Sequence, residues 1–125
     1  MTSAPPAVKR LKTRREFLHV AKGRKAVRSG VVVQARARDG SSHLGAGFTA
    51  TRKIGGAVIR NRSKRRLREA VRLLLPLHGM TGFDYVFIAR ATTSERDWER
   101  LLGDVRSALV SLAEDKAPGG RDTQA

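Results

Sequence analysis

Cysteine is absent from all 125 residues, which excludes disulfides and thiolate metal sites and fits a reducing compartment. Aromatic residues make up only 5% of the chain, too few for a broad base-stacking platform of the RNA-recognition-motif type. No apolar run approaches the roughly 18 residues of a membrane span, and the N-terminus lacks the apolar stretch of a secretory signal. The expected location is the cytoplasm with no membrane partner, although residues 1–15, acid-free and carrying Arg, Ser and Thr, share the composition of an organellar transit peptide. Familiar catalytic signatures are missing too. There is no GxxxxGK[ST] loop, no GxGxxG after a strand and no HExxH, and His19, His43 and His78 lack metal-ligand spacing. Asp39 belongs to a turn, Asp84 opens a strand and Asp97 caps a helix, so no carboxylate pair is placed for acid–base work. No catalytic and no metal-ligating residue is assigned.

Acids are the scarcest class relative to their opposites: 11 Asp and Glu face 26 Lys and Arg, a net charge of +15. An excess of that size calls for a polyanionic partner. It peaks between Arg52 and Arg72, where nine cations accompany one acid, Glu69, on a segment that otherwise reads as a helix. Like charges three or four residues apart cost helix stability, and cations at a helix N-terminus oppose its dipole, so Arg60, Arg62 and Lys64 are not there for the helix's sake. Gly55 and Gly56 just before them allow close backbone approach, and first-turn N–H groups favour an anion. With 100° per residue, Leu67, Ala70, Val71 and Leu74 form one stripe with Ser63 a turn earlier. Asn61, Arg65, Arg68 and Arg72 project opposite, Arg62 flanks them, and Arg60 returns at the N-terminal end of the packed side. A helix charged for solubility alone would mix its signs.

Length and pattern predict one domain over residues 10–115, with tails over 1–9 and 116–125 that hold Pro5, Pro6, Pro118, Gly119 and Gly120 and have no apolar period. Thr13 to Glu16 is a capping box before a short helix bearing Phe17 and Val20 and ending near Gly23. Val31 to Arg38 alternates with period two, as does Leu44 to Ala50, and the Asp39-Gly40-Ser41-Ser42 turn between them predicts an antiparallel hairpin. The basic helix should run from about Gly56 to Leu75 and stop at Pro76. Phe83 to Ala89, apolar on both parities, predicts a central strand. A second capping box, Ser94 to Asp97, precedes a closing helix marked by Trp98, Leu101, Leu102, Val105, Leu109 and Leu112. The resulting class is α+β, an α-β sandwich of order α-β-β-α-β-α.

From Arg52 to Glu69 the chain closely resembles the protein-subunit family of bacterial ribonuclease P, whose hallmark Lys-Ile-Gly-x-Ala-Val-x-Arg-Asn-Arg-x-Lys-Arg is met at Lys53-Ile54-Gly55 and Arg60-Asn61-Arg62-Ser63-Lys64-Arg65. The likeness extends from about Arg10 to Leu112 and takes in Arg15-Glu16-Phe17, Gly45 to Phe48 and Asp84 to Arg90. It implies a ribosomal protein S5 domain 2-like fold, with a short extra strand before the basic helix and a left-handed β-α-β crossover, which pattern alone would not suggest. It implies as partners a catalytic RNA and precursor tRNA, with no protein partner required. The RNA would use bound Mg²⁺ to remove the 5′ leader, so the chain would be an endoribonuclease subunit without catalytic groups of its own. By resemblance Arg60, Asn61, Arg62, Lys64, Arg65 and Arg68 face the catalytic RNA, and Arg72 joins them from its place on the helix. A groove between the first helix and the sheet would hold the leader, at Phe17, Val32, Gln34, Gly47, Thr49 and Thr51 with Arg52 and Lys53 at its end.

The residues give that groove some support of their own. Gly45, Gly47, Thr49 and Thr51 share one strand face beside Val32, Gln34 and Arg36, a polar surface opened by glycine; the same small residues equally suit a packed helix. Members of the family often carry aromatics where this chain has Ala21 and Gln34, so stacking should be weaker here and Arg36, Arg52 and Lys53 should matter more. A non-enzymatic structural RNA-binding protein, ribosomal-protein-like, shares the charge and composition and is distinguished by the Lys53 to Arg65 motif. A DNA-groove reader would need a helix-turn-helix partner before the basic helix, and none is present.

Overall fold

A computed structural model of the protein describes residues 7–38 and 42–115. Nine elements follow in order: β1 (Val8–Arg10), α1 (Arg14–Ala21), β2 (Arg24–Val27), β3 (Val31–Ala37), β4 (Leu44–Thr49), a 3-10 turn (Arg52–Ile54), α2 (Ala57–His78), β5 (Phe83–Ala89) and α3 (Trp98–Asp115). The class is the expected α+β sandwich, with two strands more than the sequence pattern showed. β1 and β2 are only three and four residues long, too short for alternation to register. β1 also takes Val8 and Lys9 out of the expected N-terminal tail, since Val8, Lys9 and Arg10 pair in parallel with Leu44, Gly45 and Ala46. Residues 1–6 and 116–125, the remainder of the two expected tails, lie outside the described residues. The short strand expected before the basic helix is instead the 3-10 turn.

The five strands form one sheet of order β1-β4-β5-β3-β2. The expected β3–β4 hairpin is overturned: β5 lies between them, antiparallel to β3 and parallel to β4. The physical reason is the composition of β5, whose residues 84–87 are all buried; a strand apolar on both faces belongs in the middle of a sheet. β4, α2 and β5 thus make a parallel crossover between neighbouring strands, the β-α-β unit that the resemblance implied.

Strand parity sorts the side chains into two clusters. Val31, Val33 and Ala35 of β3, Leu44 and Ala46 of β4, and Tyr85, Phe87 and Ala89 of β5 face α2 and α3, where Leu67, Ala70, Val71, Leu74, Leu101, Val105 and Leu109 complete the main core. Val86 lies on the other face with Leu11 and Val20, and Phe17 and Ile88 pack against them, so α1 covers the sheet from the side opposite α2 and α3. The α1 capping box forms as expected: the Thr13 hydroxyl accepts from the Glu16 N–H, and the Glu16 carboxylate accepts from the N–H groups of Thr13 and Lys12. Of the second expected box, Asp97 does the capping, accepting from the Arg100 N–H at 3.2 Å. Pro76 does not end α2, which continues to His78. A proline in the final turn forfeits one helical hydrogen bond, and Gly79 closes the end by donating to the Leu75 carbonyl at 2.8 Å.

Candidate nucleic-acid interface

α2 buries Ser63, Leu67, Ala70, Val71 and Leu74, the stripe expected from the sequence, together with Leu75, and all its basic residues but Arg66 are turned away from that stripe. Ser63 satisfies its buried hydroxyl by donating to the Ile59 carbonyl at 2.8 Å. The cations do not all have the same freedom. Arg72 is held in a two-point pair with Glu69, at 3.1 and 2.6 Å, which lowers the Glu69 pKa and raises that of Arg72. Arg62 approaches Glu95 at 3.3 Å with both side chains half or more exposed, and Arg60 donates to the Gly55 carbonyl at 3.5 Å. The exposed Arg62–Glu95 pair is weak and readily exchanged for another partner, and the Arg60 contact is at the long limit of a hydrogen bond. Among the described residues Lys64, Arg65 and Arg68 have no acidic partner.

Arg66 differs from its neighbours and was not singled out from the sequence. Its guanidinium donates to the carbonyls of Thr93 and Arg96, both at 2.6 Å, and lies 5.6 Å from the Trp98 ring centre. It fastens α2 to the loop before α3 and is a structural arginine within the basic run. The turn preceding α2 is equally specific. Gly55 has φ of 149°, a conformation other residues avoid, and an added Cβ there would also crowd Ile59. Gly56 caps the helix without a side chain, so no side chain accepts from the first-turn N–H groups.

The second candidate surface lies across the sheet. Register aligns Gly45, Asp84 and Arg36 in one row, Gly47, Val86, Gln34 and Lys25 in the next, and Thr49, Ile88, Val32 and Val27 in a third. Val86 and Ile88 therefore separate the two strands that sequence reasoning had placed side by side, and Lys25 and Val27 of β2 extend the floor. The apolar run of Phe83 to Ala89 was the signal for this insertion; no signal marked β2.

The expected opening at glycine is not what the structure shows. Gly45 and Gly47 are buried, and a Cβ on Gly47 would sit 2.7 Å from Phe17 Cζ. Gly47 accommodates the packed helix, the reading left open by the sequence, while the space beside Gly45 is taken by Asp84 and Leu11. Phe17 lies on Gly47 as a wall, and Val32, Gln34, Thr49 and Ile88, all partly exposed, form the floor beyond it. Arg36 reaches up to α1 and donates to the His19 carbonyl at 3.1 Å, which closes the groove at that row. The opposite end continues from Thr49 to the exposed Thr51, Arg52 and Lys53. Among the described residues no free acid opposes an anion here. Glu16 is committed to the helix cap, and buried Asp84 faces Arg38 with 2.7 Å between Oδ1 and Nη2, close in charge although not aligned as a hydrogen bond. Among the described residues no three His, Cys, Asp or Glu side chains come together as metal ligands.

These features define a class: a basic α+β protein with a cationic helix face and, on the other side of its sheet, a groove with a basic end, both suited to a polyanion. The family model for ribonuclease P matches residues 6–113. A ribonuclease P protein component from Caulobacter vibrioides is 54% identical over 123 residues, covering 96% of this chain and 83% of the relative. One from Ruegeria pomeroyi is 48% identical over 105 residues, covering 82% and 84%. The solved ribonuclease P protein from Thermotoga maritima superposes with a TM-score of 0.70 at 29% identity, covering 82% of this chain and 96% of that one. The chain belongs to the ribonuclease P protein family, and so has a role in an endoribonuclease complex that processes tRNA.

Proposed function

We propose that this subunit grips a catalytic RNA with the outer face of α2 and holds the single-stranded 5′ leader of precursor tRNA in the groove between α1 and the sheet. The observation that carries the reading is the separation of two basic surfaces by the sheet, which lets two RNA strands be held at once without competing. Asn61, Lys64, Arg65 and Arg68 hold the catalytic RNA, with Arg60, Arg62 and Arg72 exchanging their present partners for phosphates. Phe17, Val32, Gln34 and Thr49 hold the leader, with Thr51, Arg52 and Lys53 at its exit and Arg36 fixing the helix that forms its wall. Gly47 contributes by seating Phe17. In this reading hydrolysis belongs to the RNA subunit, with Mg²⁺ held by RNA and substrate, and no further protein is required. The place of action is the cytoplasm; among the described residues no helix is long and apolar enough to cross a membrane.

The test is holoenzyme affinity for precursor tRNAs with leaders of increasing length, against mature tRNA. Phe17→Ala should weaken leader-bearing substrates by roughly five- to a hundred-fold, the worth of one aromatic–base stack, and leave mature tRNA unchanged. Equal loss on both substrates would refute the leader assignment. Specific 5′ cleavage by RNA-free protein would refute the division of labour, and RNA binding with no effect on cleavage would favour a purely structural module.

A further inference from the structure

At the edge of the sheet, between β1 and α2, lies a hollow of about 270 Å³ that shares Arg68 and Arg72 with the α2 face and is otherwise outside both surfaces above. Its floor is apolar, made by Ala46, Phe48, Val71 and Pro76, with Val8 on the rim. Three guanidinium groups border it: Arg10, Arg68 and Arg72. Arg10 lies with its guanidinium carbon 5.6 Å from the centre of the Phe48 ring, and Phe48 is itself stacked on Phe87 of the core at 5.6 Å. The aromatic is thus fixed from beneath, while Arg10 is exposed. Glu69, the acid nearest in sequence, is occupied by Arg72.

We propose that this hollow receives one unpaired base of the catalytic RNA, stacked on the Phe48–Arg10 pair, with the flanking phosphates on Arg10 and Arg68. The inference rests on the reading of α2 as the catalytic-RNA face and adds Arg10 and Phe48 to it. A flat, uncharged ring bearing an anion on either side is the ligand whose chemistry matches an apolar floor ringed by cations. An apolar peptide would leave the Arg10 and Arg68 guanidinium groups desolvated without an anionic partner, and a free phosphate would have no use for the floor. The base must be unpaired, because duplex RNA keeps its bases stacked inside and offers only its backbone and groove edges to such a cleft. The catalytic RNA is its source, because Arg68 and Arg72 belong to the same helix face as Arg65, whereas the leader groove is on the far side of the sheet.

The experiment is chemical footprinting of the whole catalytic RNA in the holoenzyme at saturating protein, with dimethyl sulfate and a carbodiimide that modify exposed base edges. Wild type, Arg10→Gln and Phe48→Leu are compared; the first change is at an exposed residue, and the second keeps an apolar side chain in the core. At least one unpaired catalytic-RNA base should be protected by wild type and reactive in both variants. Phe48→Leu should weaken assembly by roughly five- to a hundred-fold with the salt slope unchanged, whereas Arg10→Gln should lower the slope by about one. Identical footprints in all three proteins would overturn the inference, as would protection that moves to the precursor tRNA. A protein dimer lost in Arg10→Gln would overturn it by assigning the hollow to a second copy. Failure of wild type to bind the catalytic RNA at all would instead overturn the reading of α2.

Discussion

Gly47→Ala should change sign with the residue above it. In a strand, replacing glycine by alanine normally stabilises by roughly 0.5–1 kcal/mol, through the lower entropy of the unfolded chain. Here the added Cβ would lie 2.7 Å from Phe17 Cζ, 2.9 Å from Cε2 and 3.2 Å from Leu11 Cβ. The ring is rigid and its helix is anchored by the capping box and by Arg36, so relief requires α1 to lift. Overpacking costs about 1–3 kcal/mol in general, and with two ring atoms inside 3.0 Å a cost of about 2–2.5 kcal/mol outweighs the entropic gain and leaves a net loss of about 1–2 kcal/mol. At roughly 4 °C per kcal/mol for a domain of this size, the melting temperature should fall by about 4–8 °C. In a Phe17→Leu background the clash should largely vanish, and Gly47→Ala should be neutral or stabilising there, giving a coupling energy of about 1 kcal/mol or more. Thermal unfolding of the four proteins measures it. The lifted ring should also weaken leader-bearing substrates against mature tRNA. Equal melting shifts in both backgrounds, or stabilisation of the wild-type background, would refute the packing of Phe17 on Gly47.

Three further outcomes follow from other parts of the molecule. Arg65→Ala with Arg68→Ala should weaken binding to the catalytic RNA and reduce the salt slope by about two, one per lost phosphate contact; an unchanged slope in the folded double variant would remove these residues from the interface. Asp84→Asn should cost about 2–3 kcal/mol, less than the roughly 3–5 kcal/mol of breaking a fully buried pair because Arg38 is 27% exposed, and denaturant unfolding would show it; a change near zero would mean that the pair contributes nothing. The N–H groups of Thr13 and then Lys12 hold the Glu16 carboxylate below its ordinary pKa, so its contribution to α1 is complete above the ordinary value and is lost as the pH falls through the lowered one. Glu16→Gln should remove that acid-side dependence, and an NMR titration showing Glu16 at an unperturbed value would contradict the cap.

How much was legible depended on the length of the pattern that encoded it. Twenty-two residues of α2 carry enough periods for the buried stripe and the outward cations to be assigned one by one, and the buried set matches from Ser63 to Leu74. The α1 cap was readable because it depends on two residues three apart, and the place of β5 because it is apolar on both faces. Pairing between strands is not encoded in any local period. Turn residues between β3 and β4 suggested a hairpin, yet β5, more than thirty residues after β4, displaces that contact because only the centre of the sheet can bury both of its faces. Short β1 and β2 had no period to read, and with them went the hollow beside Phe48 and the Lys25 edge of the groove. The sequence by itself determined the composition of each surface: how many cations, on which helix face, near which small residues. Only the tertiary structure decided which of those cations are committed, Arg66 to two carbonyls and Arg72 to Glu69, and that Gly47 makes room for Phe17 and Gly45 for Asp84 and Leu11 rather than for a ligand, because hydrogen-bond geometry and van der Waals contact exist only between groups the fold has brought together.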